Sequence, residues 1–293
     1  MLKRQKAVLS LLAQADGALS STVFVKLVFL VAQETDLKKD GTFYDFVPHR
    51  FGPFSFTLYR ELESLRQEGY VTAGAERIAL CDRTRDIAEG KARELPDSVW
   101  ADVAGVLRRY EDMSQRTLVH DVHRRYPWYA TRSELTDRRR NSPMQPTQVR
   151  RAIYTTGYEG RSVDAFFRDL LREGIRTVID VRANPISRKY GFSGRRLGEF
   201  CMKLGLEYRG VPSLGIPGAA RVGLNGLASY QRLLDHYERV MLPSHRPEVE
   251  EVGRLMTQQP SVLLCVEADA RYCHRSRLAN AVSNVANLEV VHL

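Results

Sequence analysis

Apolar and polar positions follow two different rhythms along the chain. Through residues 1–135 the spacing is helical. Residues 3–15 predict an amphipathic helix, and residues 20–34 a strongly apolar one that begins at a serine cap. A break at Gly52-Pro53 follows. Ser55 then caps a predicted helix at 56–68, with Phe56, Tyr59, Leu62 and Leu65 on one face and Gly69 as its stop. Residues 70–82 give two short extended runs around Ala-Gly, the pattern of a hairpin. Helix, helix, helix, hairpin predicts a winged helix-turn-helix domain over residues 1–84. Residues 85–135 predict a helical extension, in which Val99, Val103, Val106 and Tyr110 recur at helical spacing. Residues 136–149 carry charge, two prolines and no apolar period, and are predicted to be a linker.

From residue 150 the rhythm changes. Short apolar runs such as "RTVIDV" and "SVLLCV" alternate with amphipathic stretches such as "SVDAFFRDLLREG". Strands alternating with helices predict a layered α/β domain with a largely parallel sheet over residues 150–293. Neither a GxGxxG nor a GK[S/T] motif occurs, so a dinucleotide or Walker-type site has no support.

Charge adds a partner class. The 293 residues carry a formal net charge of +9, and arginine gathers in blocks such as "HRRYPWYATR", "DRRR" and "SRKYGFSGRR". Arginine suits bidentate phosphate contact and stacking on bases, so DNA is the expected partner. Arg124, Arg125, Arg138, Arg139 and Arg140 are the candidate nucleic-acid contacts. His120 and His123 stand three apart, but no third ligand lies near in sequence, so a structural or surface role is expected. Four scattered cysteines argue against a disulfide framework and for a reducing compartment. No apolar run is long enough to span a bilayer, and the basic, apolar N-terminus is interrupted by Ser10, Gln14 and Asp16. A cytoplasmic protein with no membrane partner is expected; a homo-oligomer is left open.

In α/β sheets the reactive groups collect at the carboxyl ends of the strands. That rule brings Gly157 and Tyr158, then Asp180, Arg182, Ser187 and Arg188, then Tyr208, and finally the run "LLCVEADARYCHRS" at 263–276, to one rim. Four loops from distant positions converge there, which predicts an active or binding site.

Two resemblances rest on these residues. "KLVFLVAQE" and "YDFVPHRFGPFSFTLYRELESLRQEGYV" resemble the YwgA-like group of winged-helix domains, over about the first 80 residues. The resemblance implies DNA binding or protein pairing. "YTTGYEGRSVDAF", "VIDVRANPISRKYGFS", "YRGVPSLG" and "LLCVEADARYCHRSRLA" resemble the family catalogued as domain of unknown function 488, over nearly all of 151–293. Its polar positions correspond here to Gly157, Asp180, Arg182, Pro185, Ser187, Tyr208, Cys265, Glu267, Cys273, His274 and Arg275, and its reaction is not implied.

The run 263–276 supports four readings. Cys265, Cys273 and His274 could hold zinc with Glu267 as base, but adjacent Cys and His seldom share one tetrahedral ion, so no metal ligand is assigned. Cys273 could be a nucleophile, activated at a helix start by flanking arginines and assisted by His274. The helix start could bind phosphate with Arg182, Arg188 and Arg275. The residues could instead be structural, with Cys265 a small buried hydrophobe and Glu267 paired to Arg182 or Arg275. The expectation adopted is a nucleic-acid-acting protein, in which a DNA-binding winged helix serves an α/β domain that processes DNA or a nucleotide, hydrolytically or at the base. Genome maintenance or defence against foreign DNA is the expected setting. Asp180, Glu267, His274 and Cys273 are the candidate catalytic groups. Gly157, Tyr158, Arg182, Ser187, Arg188, Tyr208 and Arg275 are the candidate phosphate or substrate contacts. The cofactor is unassigned. The alternative is a non-enzymatic transcriptional regulator whose α/β domain senses a small anionic ligand or nucleotide.

Overall fold

The computed structural model describes residues 1–293 except 16, 40, 75 and 136–149. The chain divides into two compact units, Met1–Gln145 and Pro146–Leu293. No helix among the described residues is long and apolar enough to cross a membrane.

The first unit runs α1 (Lys3–Gln14), β1 (Leu19–Ser20), α2 (Ser21–Glu34), β2 (Val47–His49), β3 (Gly52–Phe54), α3 (Phe56–Gln67), β4 (Val71–Ala73), β5 (Arg77–Leu80), α4 (Arg85–Arg93), α5 (Asp97–Tyr110), α6 (Gln115–Arg125) and α7 (Pro127–Ala130). The predicted starts are there for the predicted reason: Ser20 Oγ accepts from Val23 N and Ser55 Oγ from Leu58 N, both at 3.2 Å. β4 and β5 form the predicted hairpin, and β1 joins them in an antiparallel sheet of order β1-β5-β4. β2 and β3 form a second small ribbon around the Gly-Pro break.

Two expectations need correction. Tyr59 is exposed, with its ring stacked on Phe54; Leu58 takes the buried place beside Phe56, Leu62 and Leu65. Residues 85–135 are also no appendage. Ala88, Val103, Val106, Tyr110, Leu118, Val122 and Tyr129 share one core with Leu9, Phe29, Phe46 and Leu65. The apolar faces of α1 and α2 are too large for the small sheet to cover, and α4, α5 and α6 cover them.

The second unit runs β6 (Ile153–Gly157), α8 (Val163–Arg172), β7 (Thr177–Asp180), α9 (Gly194–Lys203), β8 (Glu207–Gly210), α10 (Leu227–His236), a π-helical turn (Tyr237–Met241), α11 (Leu242–Ser244), α12 (Arg246–Gln258), β9 (Ser261–Cys265), α13 (His274–Ala286) and β10 (Val290–His292). The five strands pair in the order β10-β6-β9-β7-β8, every pair parallel. β6, β7 and β9 are buried along their whole length, as a sheet covered on both faces requires. On one face, Ile153, Ile179 and Leu263 pack with Val249, Val252 and Met256 of α12 and Leu278 and Val282 of α13. The chain leaves β6 toward β7 and leaves β9 toward β10, on the opposite side. Their carboxyl ends therefore form the switch point of the sheet, where α/β domains hold their ligands.

Candidate functional site

Register fixes the rim. Gly157 lies opposite Cys265, and Asp180 lies opposite both Leu264 and Gly210. The sequence-predicted residues of the second unit do meet there, but they divide into two groups of partners.

The first group is centred on Asp180. It is 1% exposed, and Arg182 grips it with two side-chain bonds, Nε to Oδ1 at 2.7 Å and Nη2 to Oδ2 at 2.5 Å. Arg182 N donates to Oδ1 at 3.2 Å and the Tyr208 hydroxyl donates to Oδ2 at 2.7 Å. Arg182 also donates to the Phe192 carbonyl at 2.8 Å and lies over the Tyr158 ring, which stacks on Phe192 at 4.2 Å. Burial, together with the Asp180 charge, raises Tyr208. Both carboxylate oxygens are taken, and the guanidinium is enclosed. Asp180, expected as a catalytic group, and Arg182, expected as a phosphate contact, thus take each other as partners. A buried arginine and aspartate satisfy each other because neither has water to turn to. Ser187 is half-buried and accepts from Tyr158 Oη of the loop after β6 at 3.3 Å and from Lys189 N at 3.1 Å. Arg188 is exposed and makes no ion pair among the described residues.

A close backbone approach organises the second group. A Cβ on Gly157 would stand 1.8 Å from the Glu267 carbonyl oxygen, so only glycine lets the loop after β9 cross here. Tyr158 N and Glu159 N donate to Val266 O at 3.1 and 2.9 Å. From below, Arg275 donates to the Glu267 and Ala268 carbonyls at 2.5 and 2.9 Å. Arg275 is 1% exposed. Expected as a phosphate contact, it here ties down this loop. Glu267 pairs with neither Arg182 nor Arg275. Its Oε1 lies 3.4 Å from Tyr230 Oη and 3.6 Å from Arg221 Nη1.

Beneath Glu267 sits the sulfur cluster. Cys265 ends β9, Cys273 is the N-cap of α13, and His274 is its first residue; all three are buried. Their ligand atoms lie within 4.8 Å of one another. Cys273 has extended backbone, φ −130° and ψ 137°, while His274 is helical. That change of direction lets two adjacent side chains reach the same place, which the sequence argument held unfavourable. Cys265 Sγ is 3.3 Å from Glu267 Oε2 and 3.7 Å from His274 Nδ1. His274 Nε2 lies 3.1 Å from the Val181 carbonyl, an acceptor only. Nε2 is therefore the donor there, and Nδ1 is the nitrogen turned toward the sulfurs.

Opposed forces set the charges. Burial works against ionising Cys273, but hydrogen bonds with Cys265 and His274 outweigh it and hold this thiol well below an ordinary cysteine. The hydrogen bond to Cys273, then burial, pushes Cys265 far upward. Burial also opposes the Glu267 charge, yet its contacts with Cys273 and Cys265 and the Arg221 charge bring it below the usual carboxylate range. The cluster thus brings two sulfurs, an imidazole nitrogen and a carboxylate together. Glu267 is the outermost of them, its side chain 20% exposed. A separate cleft of about 520 Å³ is lined by residues of the following loop and α13, among them Ala268, Asp269, Arg271, Ser276 and Arg277, and by none of the four cluster residues.

Arg221, Tyr230 and Tyr237 were not anticipated. Tyr237 packs edge-on against the His274 ring at 5.3 Å and donates to Leu214 O at 2.6 Å. Tyr230 and Tyr237 stand seven apart in one helical run, so period alone placed them on one face; nothing in the sequence said that this face meets His274.

In the first unit, Arg125 is committed to Glu34, at 2.7 Å, and to the Tyr110 hydroxyl; Arg124 pairs with Asp121 at 2.6 Å. The interleaved Tyr126 and Tyr129 pack edge-on against Phe29. Of the two roles open to these aromatics, packing on the first unit is the one they fill. His120 is exposed, and His123 is buried beneath Gly52. Arg138, Arg139 and Arg140 lie outside the described residues.

Residues 162–282 match the family described as Domain of unknown function DUF488. No curated protein and no solved structure matches the chain.

Proposed function

We propose that the second unit is a hydrolytic or base-directed enzyme acting on DNA or a nucleotide, and that the first unit is a winged helix that presents the nucleic acid. One observation carries the enzymatic reading. Glu267, Cys265, Cys273 and His274 are brought together at the switch point of a parallel sheet, with the carboxylate outermost and partly exposed. Glu267 is the base in this reading: it is held as the anion, and it is the group of the cluster nearest to solvent. Tyr230 and Arg221 orient it. Asp180, Arg182, Tyr208, Gly157 and Arg275 hold the rim in shape. The winged-helix reading draws on the order α1, β1, α2, α3, β4, β5 and on the β1-β5-β4 sheet, together with the basic charge of the chain.

The test is direct. Incubating the chain with labelled single- and double-stranded DNA and with free nucleotides, with and without divalent metal, should release a shortened strand, a base or a phosphate, read by mass spectrometry. Glu267→Gln should abolish the product while leaving DNA affinity within about twofold. DNA binding that falls with salt but yields no product under any condition would sink the enzyme and leave a regulator.

A further inference from the structure

We propose that Cys265, Cys273 and His274 form a binding site for zinc, with a fourth position that faces Glu267. The ligand set comes first. Two sulfurs and an imidazole nitrogen are the donors that favour zinc over magnesium or calcium. Spacing comes next. Zinc bonds of about 2.3 Å to sulfur and about 2.0–2.1 Å to nitrogen, arranged tetrahedrally, put a sulfur and a nitrogen about 3.5 Å apart. Cys265 Sγ and His274 Nδ1 stand 3.7 Å apart, and all three donor atoms fall within 4.8 Å of one another. A central ion therefore fits with shifts of at most about 1 Å between donors.

The surroundings supply the third argument. A histidine that binds zinc through one nitrogen donates the other N–H to a fixed acceptor, and His274 Nε2 already meets the Val181 carbonyl at 3.1 Å. Tyr237 pins the ring from the side. Each donor comes from an element end that the fold holds rigidly: β9 carries Cys265, and the start of α13 carries the other two. The fourth side is different. Glu267 Oε2 approaches Cys265 Sγ to 3.3 Å, and Glu267 is the partly exposed member of the group. Three buried protein ligands with a carboxylate at an open fourth position is the arrangement of a zinc ion that activates water, the carboxylate taking the proton.

The site itself stands on the cluster geometry. Only the role given to Glu267 rests on the reading of the domain as a hydrolase. The full chain, purified under reducing conditions from zinc-supplemented medium, should carry about one zinc per chain by elemental analysis. Replacement by cobalt in the wild-type chain should give visible bands of tetrahedral intensity and a near-ultraviolet thiolate-to-cobalt band. Cys81→Ser should keep the metal; Cys265→Ser and Cys273→Ser should lose it, with folding checked by circular dichroism. Glu267→Gln should keep the metal while shifting the visible cobalt bands. A reduced, folded wild-type chain that takes up neither zinc nor cobalt overturns the site. So does metal that survives both cysteine substitutions, or a chain lighter by two hydrogens whose cysteine pair refuses metal after reduction. Full metal occupancy with no turnover of any nucleic acid would leave the zinc site standing and remove the hydrolase.

Discussion

At the scale of single residues, the candidate site depends on positions that do no chemistry. Gly157 is the sharpest case. Its missing side chain is what admits the Glu267 carbonyl, so Gly157→Ala must push the loop 266–268 off β6. We expect a loss of roughly 1–3 kcal/mol, the range of an overpacked core, in denaturant unfolding. The same variant should also bind cobalt more weakly, because Cys265 ends the strand beside it. Unchanged stability would mean that the loop has room that the geometry denies. Arg182 makes the opposite point. Its charge is enclosed and answered by Asp180, so Arg182→Met should cost about 3–5 kcal/mol by leaving a buried carboxylate without its partner. The double variant Arg182→Met with Asp180→Asn should recover part of that loss. If the two effects simply add, the pair is not the coupled unit described above.

At the scale of elements, the turn between β2 and β3 is tied to α2 and α6. Lys26 of α2 donates to Phe51 O at 2.5 Å, and a Cβ on Gly52 would stand 2.6 Å from His123 of α6. Burial, helped by the charge of Lys26, lowers His123 from 6.5 to about 4. The folded first unit thus binds fewer protons than the unfolded chain between pH 6.5 and 4. Stability must therefore fall as pH drops through that window and level off, for this group, below it. We expect about 1–3 kcal/mol of difference in pH dependence between wild type and His123→Gln, after allowance for partial solvation. Parallel curves for the two proteins would show that His123 is not held neutral. The "FGPFS" turn is thus anchored from inside, and the apolar spacing around it told nothing of this. Helix α3 was legible from its Ser55 cap. The buried place of Leu58 was not, because Tyr59 fits the same periodicity and only the stacking on Phe54 draws it outward.

At the scale of the whole molecule, each unit has its own core, and residues 136–149, expected to be a linker from their charge and prolines, lie outside the described residues. We expect residues 146–293 expressed alone to unfold in one cooperative transition and to bind cobalt as the full chain does. A fragment that lacks fixed tertiary structure would show that the second unit borrows stability from the first. The match of residues 162–282 to a domain of unknown function agrees with an autonomous second unit.

By itself, the sequence determined the alternation of strands and helices in the second unit, the helix starts at Ser20 and Ser55, the hairpin, and the rim to which the polar loops converge. These follow from local period and local hydrogen-bonding chemistry, which a linear chain displays. Tertiary structure alone decided which partners the rim residues meet. Asp180 and Arg182 look like an acid and an anion holder until they are seen to satisfy one another. Arg275 looks like a phosphate contact until it is found under a loop. Cys273 and His274 look too close in sequence to share an ion until an extended residue followed by a helical one aims both at Cys265. Charge and donor type are written in the chain; which partner each group meets depends on contacts across distant elements, and those exist only once the sheet is assembled.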